Sequence, residues 1–281
     1  MALYLRCLPT MARTELAADD VVGVRADNPS LFTLTGTNSW IVGRDPAWLI
    51  DPGPKLDRHV EALAVEIDAR GGLGAILLTH SHHDHADALP LLVARFPGAP
   101  IAAAGGAVES ASIALADGDR LGPLEVVATP GHAPDHLAFL AISGRATGIA
   151  FTGDAVLGVG SVFVAPDPGA LASYLHALAA LRERAPRLLA PGHGPLVTDP
   201  DAKLSEYIEH RLRRERTLVG ALAAGDRTIE QLLAAAWPDV PDQLRGAAAV
   251  TLAAHLDKLA DEGRLPEGVQ RPAWPIDWPA V

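Results

Sequence analysis

The stretch Thr79-His80-Ser81-His82-His83-Asp84-His85 places four histidines and an aspartate within six residues. Imidazole nitrogens and carboxylate oxygens are the donors that borderline cations such as zinc prefer. The apolar run from Gly74 to Leu78 comes directly before it, which predicts a buried strand ending in a ligand-bearing loop. Three later apolar runs end alike. Leu124 to Ala128 leads to Thr129-Pro130-Gly131-His132, Gly148 to Phe151 to Thr152-Gly153-Asp154, and Arg187 to Ala190 to Pro191-Gly192-His193-Gly194. Solvated loops favour Gly, Ser, Asn and Asp over clustered histidine, so a merely exposed first loop is a poor reading. His132, Asp154 and His193 would each pass singly for a turn or capping residue. Their joint placement at strand ends does not fit that reading.

The candidate donors are therefore His80, His82, Asp84, His85, His132, Asp154 and His193. One catalytic zinc takes three protein ligands and a water. Seven donors suit two ions, with one carboxylate bridging. Such a pair would bind a hydroxide, oriented by Asp84 and Asp154, and steady the oxygen that develops charge, which is hydrolytic chemistry. Zinc fits the donor set best, with manganese or iron as alternatives, since no thiolate takes part. Asp51 is expected to accept a hydrogen bond from a ligand imidazole or from the Thr79 region. His136 is expected to meet substrate, with a role in its own strand as the alternative. His83 reads as a bystander, and His59, His176 and His255 as structural residues of helices.

These groups need a frame. Residues 1–24 suggest an opening strand, 31–35 and 39–43 two more, and 47–50 another, joined by turns into antiparallel hairpins. Leu56, Val60, Leu63 and Ile67 have helical spacing, and Gly71-Gly72 stops that helix. A helix over 86–95 would start at the ligand loop. A short strand follows over 100–104, then an irregular or helical stretch over 109–115. Strands are expected over 124–128, 136–142, 148–151 and 187–190, with an amphipathic helix over 168–184. The order suits a layered α/β core. Beyond it, long helices are expected over 203–224 and 243–262 and a shorter one capped by Thr228. The arginines Arg211, Arg213, Arg214 and Arg216 read as a solvated face interleaved with glutamates. Chain organisation is expected as residues 1–200, 201–270 and a tail, 271–281, that holds Trp274 and Trp278.

Bulk properties narrow the class. The chain has 281 residues, 49% of them apolar and 20% charged, with a formal net charge of −11. An acidic chain does not draw phosphate backbones by long-range attraction. The single cysteine, Cys7, rules out an intramolecular disulfide, and no signal peptide or membrane span is read, so a cytoplasmic protein is expected.

The motifs resemble those of the metallo-β-lactamase superfamily: His80-x-His82-x-Asp84-His85, Gly131-His132, Gly153-Asp154 and Gly192-His193. The resemblance implies an αββα sandwich with the site at one edge. It assigns His80, His82 and His132 to a first metal, and Asp84, His85 and His193 to a second, with Asp154 bridging. Thr35-Gly36-Thr37-Asn38, Ile50-Asp51-Pro52-Gly53 and Tyr207-Ile208-x-His210-Arg211-x-x-Arg214-Glu215 further resemble the subgroup called beta-lactamase-like protein 2, in which a small helical, winged-helix-like segment follows the core. Flavo-diiron oxidoreductases share that core but carry Glu where His82 stands and need a flavin domain, which argues against redox chemistry. The expected function is a dinuclear metal-dependent hydrolase of an ester, thioester or lactone, acting on a small molecule. The alternatives are a single-strand endoribonuclease or phosphodiesterase with the same centre, and a metal-binding scaffold without turnover. No membrane partner is expected, and a homodimer is left open.

Overall fold

The computed structural model describes residues 12–273, so Cys7, Trp274, Trp278 and the start of the expected opening strand lie outside the described residues. β1 (Arg13–Leu16), β2 (Val21–Arg25), β3 (Asn38–Val42) and β4 (Ala47–Ile50) pair antiparallel in succession. Helix α1 (Asp57–Asp68) crosses to β5 (Leu73–Leu77), parallel to β4. Two short helices, α2 (His83–Ala86) and α3 (Leu89–Arg95), lead to β6 (Ile101–Ala104) and β7 (Ile113–Leu115), which complete a seven-stranded sheet. β8 (Arg120–Leu121), β9 (Leu124–Ala128), β10 (Leu137–Ala141) and β11 (Ile149–Gly153) run antiparallel. After helix α4 (Ala170–Glu183), β12 (Leu188–Pro191) lies parallel to β11 and closes a five-stranded sheet. Helices α5 (Pro200–Ala224), α6 (Ile229–Ala236) and α7 (Arg245–Asp261) follow.

Side-chain alternation sets the layers. Along β3, Trp40 and Val42 face the other sheet with Ile50 and Leu77, where they join Val126, Phe139 and Phe151. Ile41 points the opposite way and packs with Leu49 and Ile76 under Leu63 and Ile67 of α1. On the far side, Val127, Leu140 and Leu189 meet Tyr174 and Leu178 of α4 and Leu204 and Tyr207 of α5. Both faces of both sheets are covered, hence the nearly unbroken apolar strands. This is the αββα order. The C-terminal helices share a cluster of their own, built on Leu218, Leu232, Trp237, Leu252 and Leu256. Among the described residues, no helix is long and apolar enough to cross a membrane.

Three expectations need correction. Residues 31–35 form a turn with one bridge, Ser30 to Leu34, because Leu34 adopts φ 57° and breaks strand geometry. The end of 109–115 is strand β7, added parallel to β6. The arginine run is a solvated face only at Arg213 and Arg216. Arg211 and Arg214 are buried, and Arg214 donates to the Ala236 carbonyl and pairs with Asp239 at 2.7 Å.

Among the packed C-terminal side chains, His255 of α7 is fully buried, its ring 5.6 Å from that of Trp237, and neither ring nitrogen has a hydrogen-bond partner. Burial, reinforced by the cations Arg211 and Lys258, pushes its pKa down to about 3. The unfolded chain then binds the extra proton at higher pH than the native one. Stability is full above the ordinary histidine pKa and falls as pH drops towards about 3, at about 1.4 kcal/mol per unit of separation between the two pKa values. Urea melts between pH 7 and 4 should therefore lose midpoint more steeply in the wild type than in His255→Leu. Equal slopes would remove His255 as the cause.

Candidate metal centre

Strand direction gathers the donors. β4, β5, β9, β11 and β12 end at one edge of the sandwich, and β10 begins there. Asp51 follows β4, Thr79 and His80 follow β5, His132 follows β9, Asp154 follows β11, His193 follows β12, and His136 precedes β10. Glycine is required where these ends crowd. A Cβ on Gly192 would stand 2.7 Å from Asp154 Oδ1 and equally close to His85 Cε1. Gly153 has φ +45°, and its Cβ would stand 2.5 Å from Thr79 Oγ1. The glycines before Asp154 and His193 thus let neighbouring strand ends approach, while Gly131, before His132, makes room for Tyr174 of α4.

The seven side chains meet as two trios around a carboxylate. His80 Nε2 is 3.0 Å from His82 Nδ1, and His132 Nε2 is 3.1 Å from the same atom. Asp84 Oδ2 is 3.1 Å from His193 Nε2 and 3.5 Å from His85 Nε2. Asp154 stands between them, with Oδ1 3.4 Å from His85 Nε2 and Oδ2 3.3 Å from His193 Nε2 and 3.6 Å from His132 Nε2. The donor atoms of each trio lie within 4.8 Å of one another. His83 points away, into solvent, toward Asp87.

Hydrogen bonds behind the rings fix their tautomers. Thr79 Oγ1 donates to Asp51 Oδ2 at 2.7 Å, so it must accept from His80 Nδ1 at 3.0 Å. His85 Nδ1 donates to Asp51 Oδ2 at 2.8 Å, His132 Nδ1 to the Phe163 carbonyl at 3.2 Å, and His193 Nδ1 to the Gly36 carbonyl at 3.4 Å. In the neutral form, each Nε2 then turns a lone pair into the cleft, as a metal ligand requires. Asp51 is the hub: buried, held at φ 54°, it also accepts the Thr79 backbone N–H at 2.7 Å. His136 has no nitrogen left for substrate. Nδ1 bonds the Thr129 hydroxyl at 2.7 Å, and Nε2 accepts the Asp154 backbone N–H at 3.0 Å.

Charge divides the cluster. Burial lowers His80, His82 and His132, the last to about 4, so this trio offers neutral rings. Burial would also lower His85 and His193, but the facing carboxylates outweigh it. Asp84, Asp154 and Asp51 hold His85 well above its ordinary value, and Asp154 and Asp84 raise His193 to about 9. Burial would raise Asp84 and Asp154, yet His85 and His193 bring Asp84 down to about 2 and Asp154 well below the carboxylate range.

The residues fit a pair of cations. One proton on His82 Nδ1 can serve only one of the two imidazole lone pairs that face it. Tetrahedral nitrogens sharing a zinc stand about 3.3 Å apart, close to the spacing found here. Asp154 Oδ1 is buried and accepts no hydrogen bond. The carboxylates draw two histidines toward the cationic form, a demand that a bound cation meets while displacing their protons.

Several residues around the donors were not singled out by residue type. Thr37 points its hydroxyl at Asp84 Oδ2, 3.4 Å away, and is itself held by Asn28. Phe163 acts through a backbone carbonyl, which leaves no signal in sequence.

Residues 32–193 match the family model described as the metallo-beta-lactamase superfamily, and residues 228–271 match the beta-lactamase associated winged helix domain. No strand occurs among the described residues of that second segment, where Gln270 N–H bonds the Arg227 carbonyl at 2.8 Å. The chain is 30% identical to lactamase-like protein adaB of Aspergillus niger over 278 residues, covering 92% of this chain and 86% of that one. It is 31% identical to the atrochrysone carboxyl ACP thioesterase of Aspergillus chevalieri over 253 residues, covering 84% and 79%. The solved structure of a beta-lactamase domain protein from Burkholderia ambifaria superposes with a TM-score of 0.75 at 20% identity, covering 92% and 91% of the two chains.

Proposed function

This chain belongs to the metallo-beta-lactamase superfamily, and on that premise we propose that it is a dinuclear metal-dependent hydrolase of thioesters. The observation that carries the reading is the convergence of seven donor side chains, among whose five rings four have their tautomers set from behind. His80, His82 and His132 would hold one ion, Asp84, His85 and His193 the other, and Asp154 both. When bound, such ions acidify water and polarise a carbonyl; zinc suits the donors, with manganese or iron as alternatives.

The chain's own residues supply orientation. Asp84 is the more open of the two carboxylates, with 27% of its side chain exposed against 11% for Asp154. Its Oδ2 accepts from the nucleophilic water and turns an oxygen lone pair toward the substrate carbonyl carbon. The new C–O bond forms as the C–S bond breaks. Sulfur leaves as a thiolate, whose conjugate acid has a pKa of about 8–9, so its departure needs no proton donor. One proton of the water reaches the thiolate by way of Asp84 and the other is lost to solvent, so the products at neutral pH are a carboxylate and a thiol.

The cleft beside the donors supports an apolar acyl group. A cavity of about 660 Å³ reaches from His132 and Asp154 to α5 and α7, and Phe32, Leu34, Leu157 and Phe163 line it. At its rim, Leu31 and Val159 are about half exposed and extend the apolar lining toward solvent. The thioesterase from Aspergillus chevalieri points the same way. An RNA substrate would need basic side chains free on the C-terminal helices, but Arg211 and Arg214 are buried and Arg216 pairs with Glu209. Little free positive charge remains there for a phosphate backbone.

The test is elemental analysis followed by a substrate panel. Two ions per chain are expected, with aryl or long-chain acyl thioesters turned over faster than lactones, phosphodiesters or short RNAs. A metal-free protein, or RNA cleavage that outpaces every thioester, would overturn the reading.

A further inference from the structure

We propose that Arg211 of α5 and Thr251 of α7 are positioning residues for the metal centre, acting through two consecutive peptide groups on His132. The inference rests on the reading of His132 as a metal ligand.

The segment 161–164 runs between His132 and the C-terminal helices. The Phe163 carbonyl accepts His132 Nδ1–H at 3.2 Å, and the two rings meet edge-on at 4.8 Å. That carbonyl shares its peptide group with Val164 N–H. In a trans peptide the two point in opposite directions. Val164 N–H donates to Thr251 Oγ1 at 3.3 Å, whose own proton goes to the Ala247 carbonyl at 3.2 Å. One peptide plane is thus gripped by α7 on one side and grips His132 on the other. The peptide before it is held by α5. Arg211 donates to the Val162 carbonyl and, at 3.0 Å, to Ser161 Oγ. With two adjacent planes fixed, the Phe163 carbonyl cannot rotate away from the imidazole.

Arg211 is an unusual residue to spend on this. It is 2% exposed, and no carboxylate lies within 4.0 Å of it among the described residues. Its guanidinium sits 5.6 Å from the centre of the Tyr174 ring, and its Nε has no partner. A leucine would fill the space with less desolvation. What a leucine lacks is the donor for the strap. The motif His210-Arg211-x-x-Arg214 in the helical appendage thereby has work to do at the site, across the junction between core and appendage.

The measurement is metal affinity of the holoprotein by chelator competition, which needs no substrate. Thr251→Val keeps shape and removes the acceptor. Arg211→Met keeps length and removes the donors. Each should weaken one of the two bound ions about tenfold or more, the lower range for outer partners of a ligand, and leave the other ion unchanged. Thr251→Ser should retain wild-type affinity, and Arg211→Lys should fall between. Tyr207→Phe is the control, because Tyr207 holds the same loop at Leu157 N–H, 3.1 Å away, with no link to His132. Wild-type affinity in both Thr251→Val and Arg211→Met would overturn the proposal while leaving the dinuclear reading intact. So would equal weakening in Tyr207→Phe, which would mean general loosening of the loop. A wild-type protein that binds no ion would overturn the reading of the centre itself, and this proposal with it.

Discussion

Asp84→Asn is expected to fold as the wild type does and to lose thioester hydrolysis by about 10²- to 10⁴-fold, the range associated with a positioned proton acceptor. The substitution is isosteric and partly exposed, so packing changes little. With its N–H₂ at the Oδ2 position, the amide can still meet the Thr37 hydroxyl, 3.4 Å away in the native protein, now as the donor. What disappears is the negative charge facing His85 and His193. The amide also places an N–H₂ where Oδ2 now accepts, which turns the water the wrong way. Asp84 is held at about pH 2, first against the opposing effect of its burial and then by the histidines, so it stays ionised across the working range. The wild-type rate should therefore show no limb near the usual carboxylate pKa that Asp84→Asn abolishes. Thermal melting of both proteins checks the fold, and steady-state kinetics on one aryl thioester checks the rate. A mutant at full rate would remove Asp84 from the mechanism.

The parts of this centre that were legible in sequence are those with side-chain chemistry at strand ends. A histidine cluster after a buried run and three glycine-preceded donors declare themselves, because crowded strand ends force glycine and metal chemistry forces His and Asp. The covered sheets were legible for the same reason, since strands buried on both faces read as continuous apolar runs. Two kinds of feature were not. Residues 31–35 have strand composition, but the turn is decided by a left-handed Leu34 and by the Ser30 hydroxyl, which accepts from the backbone of Phe32 and Thr33. Local composition does not carry that tertiary choice. Likewise Arg211 and Arg214 sit in a helix whose charge pattern suits solvent, yet α4 and α6 pack against it. Only the packing of the appendage against the core decides which face is inside. His136 shows the same limit at the site, for its type suggests substrate contact while its neighbours take both nitrogens.

Asp51→Asn tests the least conspicuous of these roles and should have the second large effect. Asp51 accepts three hydrogen bonds, from the Thr79 backbone, the Thr79 hydroxyl and His85 Nδ1. An asparagine keeps the size and the left-handed backbone, which it tolerates well. It has one oxygen, and its amide group must stand either at Oδ2, facing both the Thr79 hydroxyl and His85, or at Oδ1, against the Thr79 backbone N–H. At Oδ2 the amide donates to His85, so Nδ1 becomes the acceptor and the proton moves to Nε2, the atom aimed at Asp84 and Asp154. The ring stays in place with the wrong tautomer and no lone pair for a cation. At Oδ1 the amide meets the Thr79 N–H donor to donor, which leaves a buried N–H unpaired and shifts the backbone that carries His80. The first arrangement damages the second trio and the other damages the first. Metal affinity should fall about 10- to 100-fold, the usual penalty for an outer partner of a ligating histidine. Stability should fall by about 1–3 kcal/mol for a buried donor left unpaired. Metal content after dialysis against a weak chelator, read beside a urea melt, separates the two losses. NMR of the imidazole nitrogens would identify which ring changed tautomer. A mutant that keeps both ions and its His85 tautomer would mean that Asp51 only terminates β4, and that the orientation of the second trio comes from elsewhere.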